Sequence, residues 1–277
     1  MAIQARPARR SYPSDLTDAE WALIAELIPT PTWFPNLQEP KRHPREFMDA
    51  IRYRTRTGTA WRLLPHDFPP WSTVFKCYQR WTREGVLDAI HDKLRRTVRV
   101  AAGRDPEPTA AILDSQSVKS TDVGGPRGFD AGKKVTGRKR HLLVDVLGLI
   151  LIAVITPAST QDRDGAVPVL EEARRECPTL QRVWVDGAYN GSVIDTLRAK
   201  TKLAIEVVKR PDDIRSFVVL PRRWVVERTH GWLCKSRLLN KEYERTLESS
   251  RADVLHAMTA LMLRRLTTAS DDRREAR

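Results

Sequence analysis

The spacing of apolar positions changes once along the chain. Up to about residue 100, apolar residues recur every three or four positions, the period of one helix face. Ser14-Asp15-Leu16-Thr17-Asp18 offers capping residues, Thr17 and Glu20 stand at capping-box spacing, and Trp21, Ile24, Leu27 and Ile28 follow at helical spacing. A Pro-rich loop over 29–44 leads to a second helix, expected from Arg45 to about Thr57, with Phe47, Ile51 and Arg54 on successive turns and Thr57-Gly58 ending it. Trp61–Pro65 reads as a turn that packs a Trp. Ser72 is expected to cap a third helix carrying Val74, Tyr78 and Trp81, broken at Arg83-Glu84-Gly85, and Leu87–Val100 is the last of the set.

The polar stretch Ala102–Thr109 marks a boundary, and strand texture follows. Ala110–Leu113 is a short apolar strand ending at Asp114. His141–Val146 and Leu149–Ile155 form a hairpin across Leu147-Gly148. A helix over Gln161–Cys177, a strand over Arg182–Val185 ending at Asp186, a helix over Val193–Thr201 and a strand over Leu203–Lys209 come next. A long helix over Pro221–Leu239 and a last one over Ser249–Leu266 complete the order, with a polar, frayed tail after Thr267. Three strands, helix, strand, helix, strand, helix make a mixed α/β layer fold behind a small helical, helix-turn-helix-like region. The expected domains are 11–100 helical, 101–109 linker, 110–266 α/β and 267–277 tail.

Charge narrows the function. The 277 residues carry 48 Lys+Arg against 35 Asp+Glu, a net +13. The excess is spread, with net +6 in residues 1–100 and +7 in the remainder, so a single basic tail does not explain it. A field of that sign favours polyanions, nucleic acid above all. A basic membrane-surface protein is the weaker alternative, because the chain lacks a basic amphipathic anchor. No apolar run reaches the ~18 residues of a membrane span, and the basic N-terminus has no apolar segment after it, so no signal peptide is expected. Cys77, Cys177 and Cys234 are far apart, which argues against a zinc ribbon or disulfide framework and suits a reducing cytoplasm.

Three acids are suggestively placed. Asp114 and Asp186 each follow a buried strand, where open sheets place ligand sites, and Glu227 lies inside a helix among Trp224, Val225, Val226 and Leu233. Phosphodiester chemistry needs an activated nucleophile and a stabilised leaving oxygen, which two hard cations held by carboxylates supply. Placement alone leaves Asp145, Asp162 and Asp164 open as alternatives.

The segments around the acids, ILDSQSVKS, RVWVDGAYN and RRWVVERTHGWL, together with AGKKVTGRKRHLLVDVLGLILIAVITPASTQDRDGA, resemble bacterial insertion-sequence transposases of the Insertion-Sequence-Five group. YPSDLTDAEWALIAELIP and TGTAWRLLPHDFPPWSTVFKCYQRW resemble the helical region that precedes the catalytic domain in that group, so the likeness covers about residues 11–265. The resemblance implies an RNase H-like catalytic domain, with Asp114, Asp186 and Glu227 as the metal-binding triad for Mg²⁺, or Mn²⁺ in its place. It implies double-stranded DNA as partner, both as element ends and as target, and a homodimer or larger assembly on DNA.

The group's pattern around the Glu finds Arg223 four residues before it, but Leu220 stands where a Tyr is expected and Cys234 where a Lys is expected, with Lys235 one further on. Arg223 and Lys235 are therefore expected to touch DNA, as are Lys119 and the cluster Lys133, Lys134, Arg138, Lys139 and Arg140, read as a phosphate track. Two alternatives use the same sequence: a metal-dependent nuclease without a joining step, and a catalytically inactive DNA-binding relative.

Overall fold

The computed structural model describes residues 9–29, 43–189, 191–208 and 224–275, with side chains up to residue 268. The first helix, α1 (Asp18–Ile24), opens as its sequence directs. Thr17 Oγ1 accepts from the Glu20 N–H at 3.1 Å, and the Glu20 carboxylate accepts from the Thr17 N–H at 3.0 Å. Helix α2 (Pro44–Thr57) ends at Gly58, which takes the left-handed conformation of a C-cap at φ 74°. A short 3-10 turn at Trp61–Leu63 precedes α3 (Trp71–Arg83) and α4 (Val86–Ala101).

Ser72 does not cap α3. The helix begins two residues earlier than such a cap would set it, with Pro70 at the N-cap, because the Pro70 carbonyl already accepts from Thr73 and Val74. Helix α4, second of the α3–turn–α4 pair, buries Leu87, Ile90, His91, Leu94, Arg95, Val98 and Arg99.

The sheet begins with β1 (Ala110–Lys119), which runs through Asp114 rather than stopping there. Past Asp114 the strand keeps a partner, because β3 (Val135–Asp145) is long enough to pair with it antiparallel up to Lys119. The short strand β2 (Gly128–Asp130), which the apolar pattern does not reveal, pairs with the start of β3. Next comes β4 (Ile150–Pro157), antiparallel to β3. Helix α5 (Asp162–Glu176), β5 (Arg182–Val185), α6 (Ser192–Thr201) and β6 (Ala204–Val207) follow. β5 and β6 run parallel to β1 and to each other.

Across the sheet the order is β4-β3-β1-β5-β6, three antiparallel strands and then two parallel ones. This is the RNase H-like arrangement that the resemblance implies. Helix α7 (Trp224–Leu233) ends six residues before the Leu239 suggested by the sequence; the chain turns at Cys234–Ser236 into a 3-10 segment at Arg237–Asn240. Pro221–Arg223 and Lys209 lie outside the described residues. Helix α8 (Leu247–Glu275) continues past Thr267, where a frayed tail was expected.

Two apolar cores sandwich the sheet. One face packs α5 and α6 through Ala111, Leu113, Val169, Leu170, Val183 and Val185. The other face is continuous with the N-terminal helices: Ile112, Leu142 and Trp184 share a core with Val225, Val226, Leu255 and Met258, and with Ile51, Trp81 and Leu94. Helix α8 lies between α4 and β4. The stretch 102–109 therefore separates two textures of sequence, while the core runs across it.

The β3–β4 turn fixes α7. Gly148, at φ 81°, meets α7 so closely that a Cβ would stand 2.8 Å from both Thr229 Oγ1 and the Trp232 ring. Gly148→Ala combines left-handed strain with this collision and is expected to cost about 1–3 kcal/mol. A melting temperature equal to that of the unmodified chain would refute the close docking.

Candidate functional site

The register of the sheet brings two of the acids together. β1 and β5 pair as Ala110↔Arg182, Ala111↔Val183 and Ile112↔Trp184, a constant offset of 72 residues. Asp114 and Asp186 differ by the same 72, so Asp186, the first residue after β5, stands level with Asp114 of β1 when that offset is carried two residues on. Side chains alternate between the faces of a strand. Ile112 points into the core shared with α7, so Asp114, two residues on in β1, lies on that same face.

Helix α7 packs over β1 and β3 on this side. Its buried residues Val225, Val226, Thr229, His230 and Leu233 hold it down and leave Glu227 exposed. His230, one turn after Glu227, brings its Nε2 to 3.7 Å from Asp114 Oδ2. Burial first, then Arg140 and Lys133, push the His230 pKa down to about 4, so the ring is neutral at ordinary pH and this contact is not an ion pair.

Asp186 forms the turn after β5. Its Oδ1 accepts from the Ala188 N–H at 2.8 Å and its carbonyl from the Tyr189 N–H at 3.1 Å. Tyr189 is buried, and its hydroxyl is held well above the usual pKa by burial and then by the charges of Asp114, Asp162 and Asp186. The three carboxylates thus act on one phenol. Neither Tyr189 nor His230 was singled out from the sequence. The available signals were short spacings, Tyr189 three residues after Asp186 and His230 three after Glu227.

The other acids left open by the sequence have structural partners. Asp145 is fully buried, paired with Arg99, and accepts from Leu147 N at 2.9 Å and Leu149 N at 2.8 Å. Asp162 accepts from Ser115 Oγ at 2.7 Å and pairs with Lys139 at 2.8 Å. Burial acts to raise the Asp162 pKa, but these two donors hold it below its ordinary value. Asp164, on the first turn of α5, is exposed.

The basic cluster divides. Lys119, Lys134 and Lys235 are exposed. Lys133 is exposed along its stem, yet its Nζ donates to the Ser115 carbonyl at 3.2 Å, next to Asp114. Arg138 and Arg140 are 1% exposed and Lys139 is 5% exposed. Arg138 donates to the carbonyls of Pro126, Thr246 and Arg245, Lys139 to that of Thr160, and Arg140 to that of Leu239. The surface-track reading is corrected for these three: alternation along β3 and its cover by neighbouring loops turn their donors onto the protein. Arg223 lies outside the described residues.

As a metal site, the donors are of the right kind. Carboxylates at the level of neighbouring strands suit a hard divalent cation, and after burial their charges add to the rise of the Tyr189 pKa. Among the described residues no three His, Cys, Asp or Glu side chains already converge as a metal-holding group. Like charges repel, so the third acid, on α7, would complete such a set only by approaching the aspartate pair. No helix among the described residues is long and apolar enough to cross a membrane.

Residues 105–263, more than half of the chain, match the family described as "Transposase DDE domain". Residues 16–91 match "Putative transposase of IS4/5 family". The chain is 31% identical over 182 residues to the "Putative transposase for insertion sequence element IS402" of Burkholderia cepacia, covering 60% of this chain and 81% of that protein. It is 33% identical over 81 residues to "Uncharacterized protein y4sN" of Sinorhizobium fredii, covering 29% of this chain and 63% of that one, just under two thirds. A solved structure, "Crystal structure of the Mos1 mariner paired end complex with Mn", aligns with a TM-score of 0.31 at 10% identity over 82% of this chain and 78% of that chain.

Proposed function

Because this chain belongs to the DDE-domain transposases of the IS4/5 family, we propose that it binds the terminal inverted repeats of an insertion sequence, cleaves the ends and joins the 3′ hydroxyls to target DNA. The observation that carries the reading is the shared offset that sets Asp186, just past β5, level with Asp114 on β1, the strand over which the helix of Glu227 packs. These three acids would hold Mg²⁺, or Mn²⁺ in its place. Such an ion, when bound, stabilises the charge that develops on the transferring phosphate and lowers the pKa of the attacking hydroxyl.

The chain's own groups prepare the site. Asp186 is oriented by the Ala188 N–H. The Lys133 ammonium, beside Asp114, offsets carboxylate charge and offers a donor to a phosphate oxygen. Neutral His230, 3.7 Å from Asp114, and buried Tyr189, whose N–H donates to the Asp186 carbonyl, flank the two aspartates. Exposed Lys119, Lys134 and Lys235, with Arg223, are assigned to the DNA backbone, and both element ends must be held at once, so a dimer or larger assembly on DNA is part of the proposal.

The test supplies purified chain, Mg²⁺ and a pre-cleaved element end with a free 3′ hydroxyl. Joined product is expected. Cleavage of intact ends with no joined product would assign a nuclease instead, and binding without either reaction would assign an inactive DNA-binding relative.

A further inference from the structure

A cleft of about 520 Å³ opens between the segment before α1, helix α2 and the end of α7 with α8. Four cations line it: Arg52 and Arg56 from α2, Lys235 from the turn after α7 and Arg264 from α8; Arg52 is half-buried and paired with Glu20, and the other three are exposed. Arg56 is fixed there, donating to the Lys235 carbonyl at 2.7 Å, which ties the N-terminal helices to the end of the Glu227 helix.

The acids in the same cleft are already engaged. Asp15 is paired with Arg9 at 2.9 Å and Glu20 with Arg52 at 3.3 Å, and both carboxylates are buried. The field at the mouth is therefore set by the three exposed cations. Ala257 and Ala260 give α8 a low floor, and Trp232 forms one wall, held by Arg265 at 4.3 Å and Arg228 at 4.6 Å from its ring centroid. At the floor, His256 is buried and its Nε2 has no hydrogen-bond partner in the protein.

Three exposed cations, one of them fixed, over a small-residue floor suit a phosphodiester backbone rather than a compact anion. The distance to the candidate acids follows from helix geometry. Glu227 and Leu233, the last residue of α7, are six residues apart, about 9 Å at the helical rise, and Lys235 stands two residues further on in the turn, so the two are on the order of 12 Å apart along the chain's path. At about 3.4 Å per nucleotide of one strand, 12 Å spans roughly three to four nucleotides.

We propose that this cleft grips the backbone of the element-end strand three to four nucleotides from the scissile phosphate. The inference rests on the reading of DNA as substrate and of Glu227 as a site acid. It assigns Arg56 and Arg264 to substrate binding and makes the junction of the two regions a clamp that sets the distance from the gripped phosphate to the cut.

The experiment places one neutral methylphosphonate linkage at successive positions of an end duplex and measures binding by the full chain. Binding is expected to weaken most when the neutral linkage lies three to four nucleotides from the cut. The Lys235→Ala/Arg264→Ala variant changes exposed side chains and should melt as the parent chain does. It should lose that positional sensitivity, and its slope of log K against log salt should fall by about 2, close to 0.9 per phosphate contact removed. The clamp is overturned, with the transposase reading intact, if the unmodified chain binds and joins ends while neither the neutral linkages at that distance nor the variant changes affinity. An unmodified chain that neither binds nor joins ends overturns both.

Discussion

Asp114→Asn and Asp186→Asn are each expected to abolish cleavage and joining, by about a thousandfold or more, while affinity for the end duplex stays equal or rises slightly. The size follows from what is lost. A group that stabilises charge in the transition state is commonly worth 10²–10³ in rate by itself, and here the same group would also hold the cation. The direction of the binding change follows from charge: each substitution removes a negative charge from a protein of net +13 facing a polyanion.

Asn also keeps the local structure. In Asp186→Asn the amide oxygen still accepts from the Ala188 N–H that shapes the turn after β5. In Asp114→Asn the contact with neutral His230 loses no ion pair. Joining assays on pre-cleaved ends, run beside duplex binding, separate chemistry from recognition. If either variant joined ends within tenfold of the parent rate, its aspartate would not be part of the machinery. Glu227→Gln is the natural third member of the series.

What the sequence disclosed followed the strength of its periodic signals. The capping box at Thr17 and Glu20, the strand at Arg182–Val185 and the hairpin around Gly148 depend on residues within a few positions of one another, and each formed as read. Errors came where a distant partner decided. β1 runs through Asp114 because β3 supplies hydrogen bonds up to Lys119, and α7 ends early because the chain must turn at Cys234–Ser236 toward α2. The basic cluster misled for the same reason. Arg138, Lys139 and Arg140 form one consecutive charged run, and only the tertiary structure shows their donors satisfied by carbonyls up to 108 residues away. The alignment of Asp114 with Asp186 was within reach of arithmetic, since their separation of 72 is the register of two parallel strands, but nothing local reveals that those strands are neighbours.

The acid that sequence reading left as a rival, Asp145, is where the largest loss of stability is expected. It is fully buried and collects three interactions: the Arg99 guanidinium from α4 and the N–H groups of Leu147 and Leu149 in the β3–β4 turn. That turn carries Gly148 against α7, so one carboxylate joins the N-terminal helices, the sheet hairpin and the Glu227 helix. Asp145→Ala leaves the 5%-exposed Arg99 with an uncompensated charge and strands two turn N–H groups. Removing one partner of a buried pair typically costs about 3–5 kcal/mol, a large part of the 5–15 kcal/mol that holds a domain together. A fall in melting temperature on the order of 10 °C is expected. Asp145→Asn, which keeps an acceptor for the turn and loses the charge, should fall between the two. Arg99→Met in the Asp145→Ala background should recover part of the loss, because the stranded charge is then gone. The opposite pattern, an Asp145→Ala chain that melts like its parent and binds DNA but no longer joins ends, would make Asp145 a reacting-site acid and break the assignment of the other three.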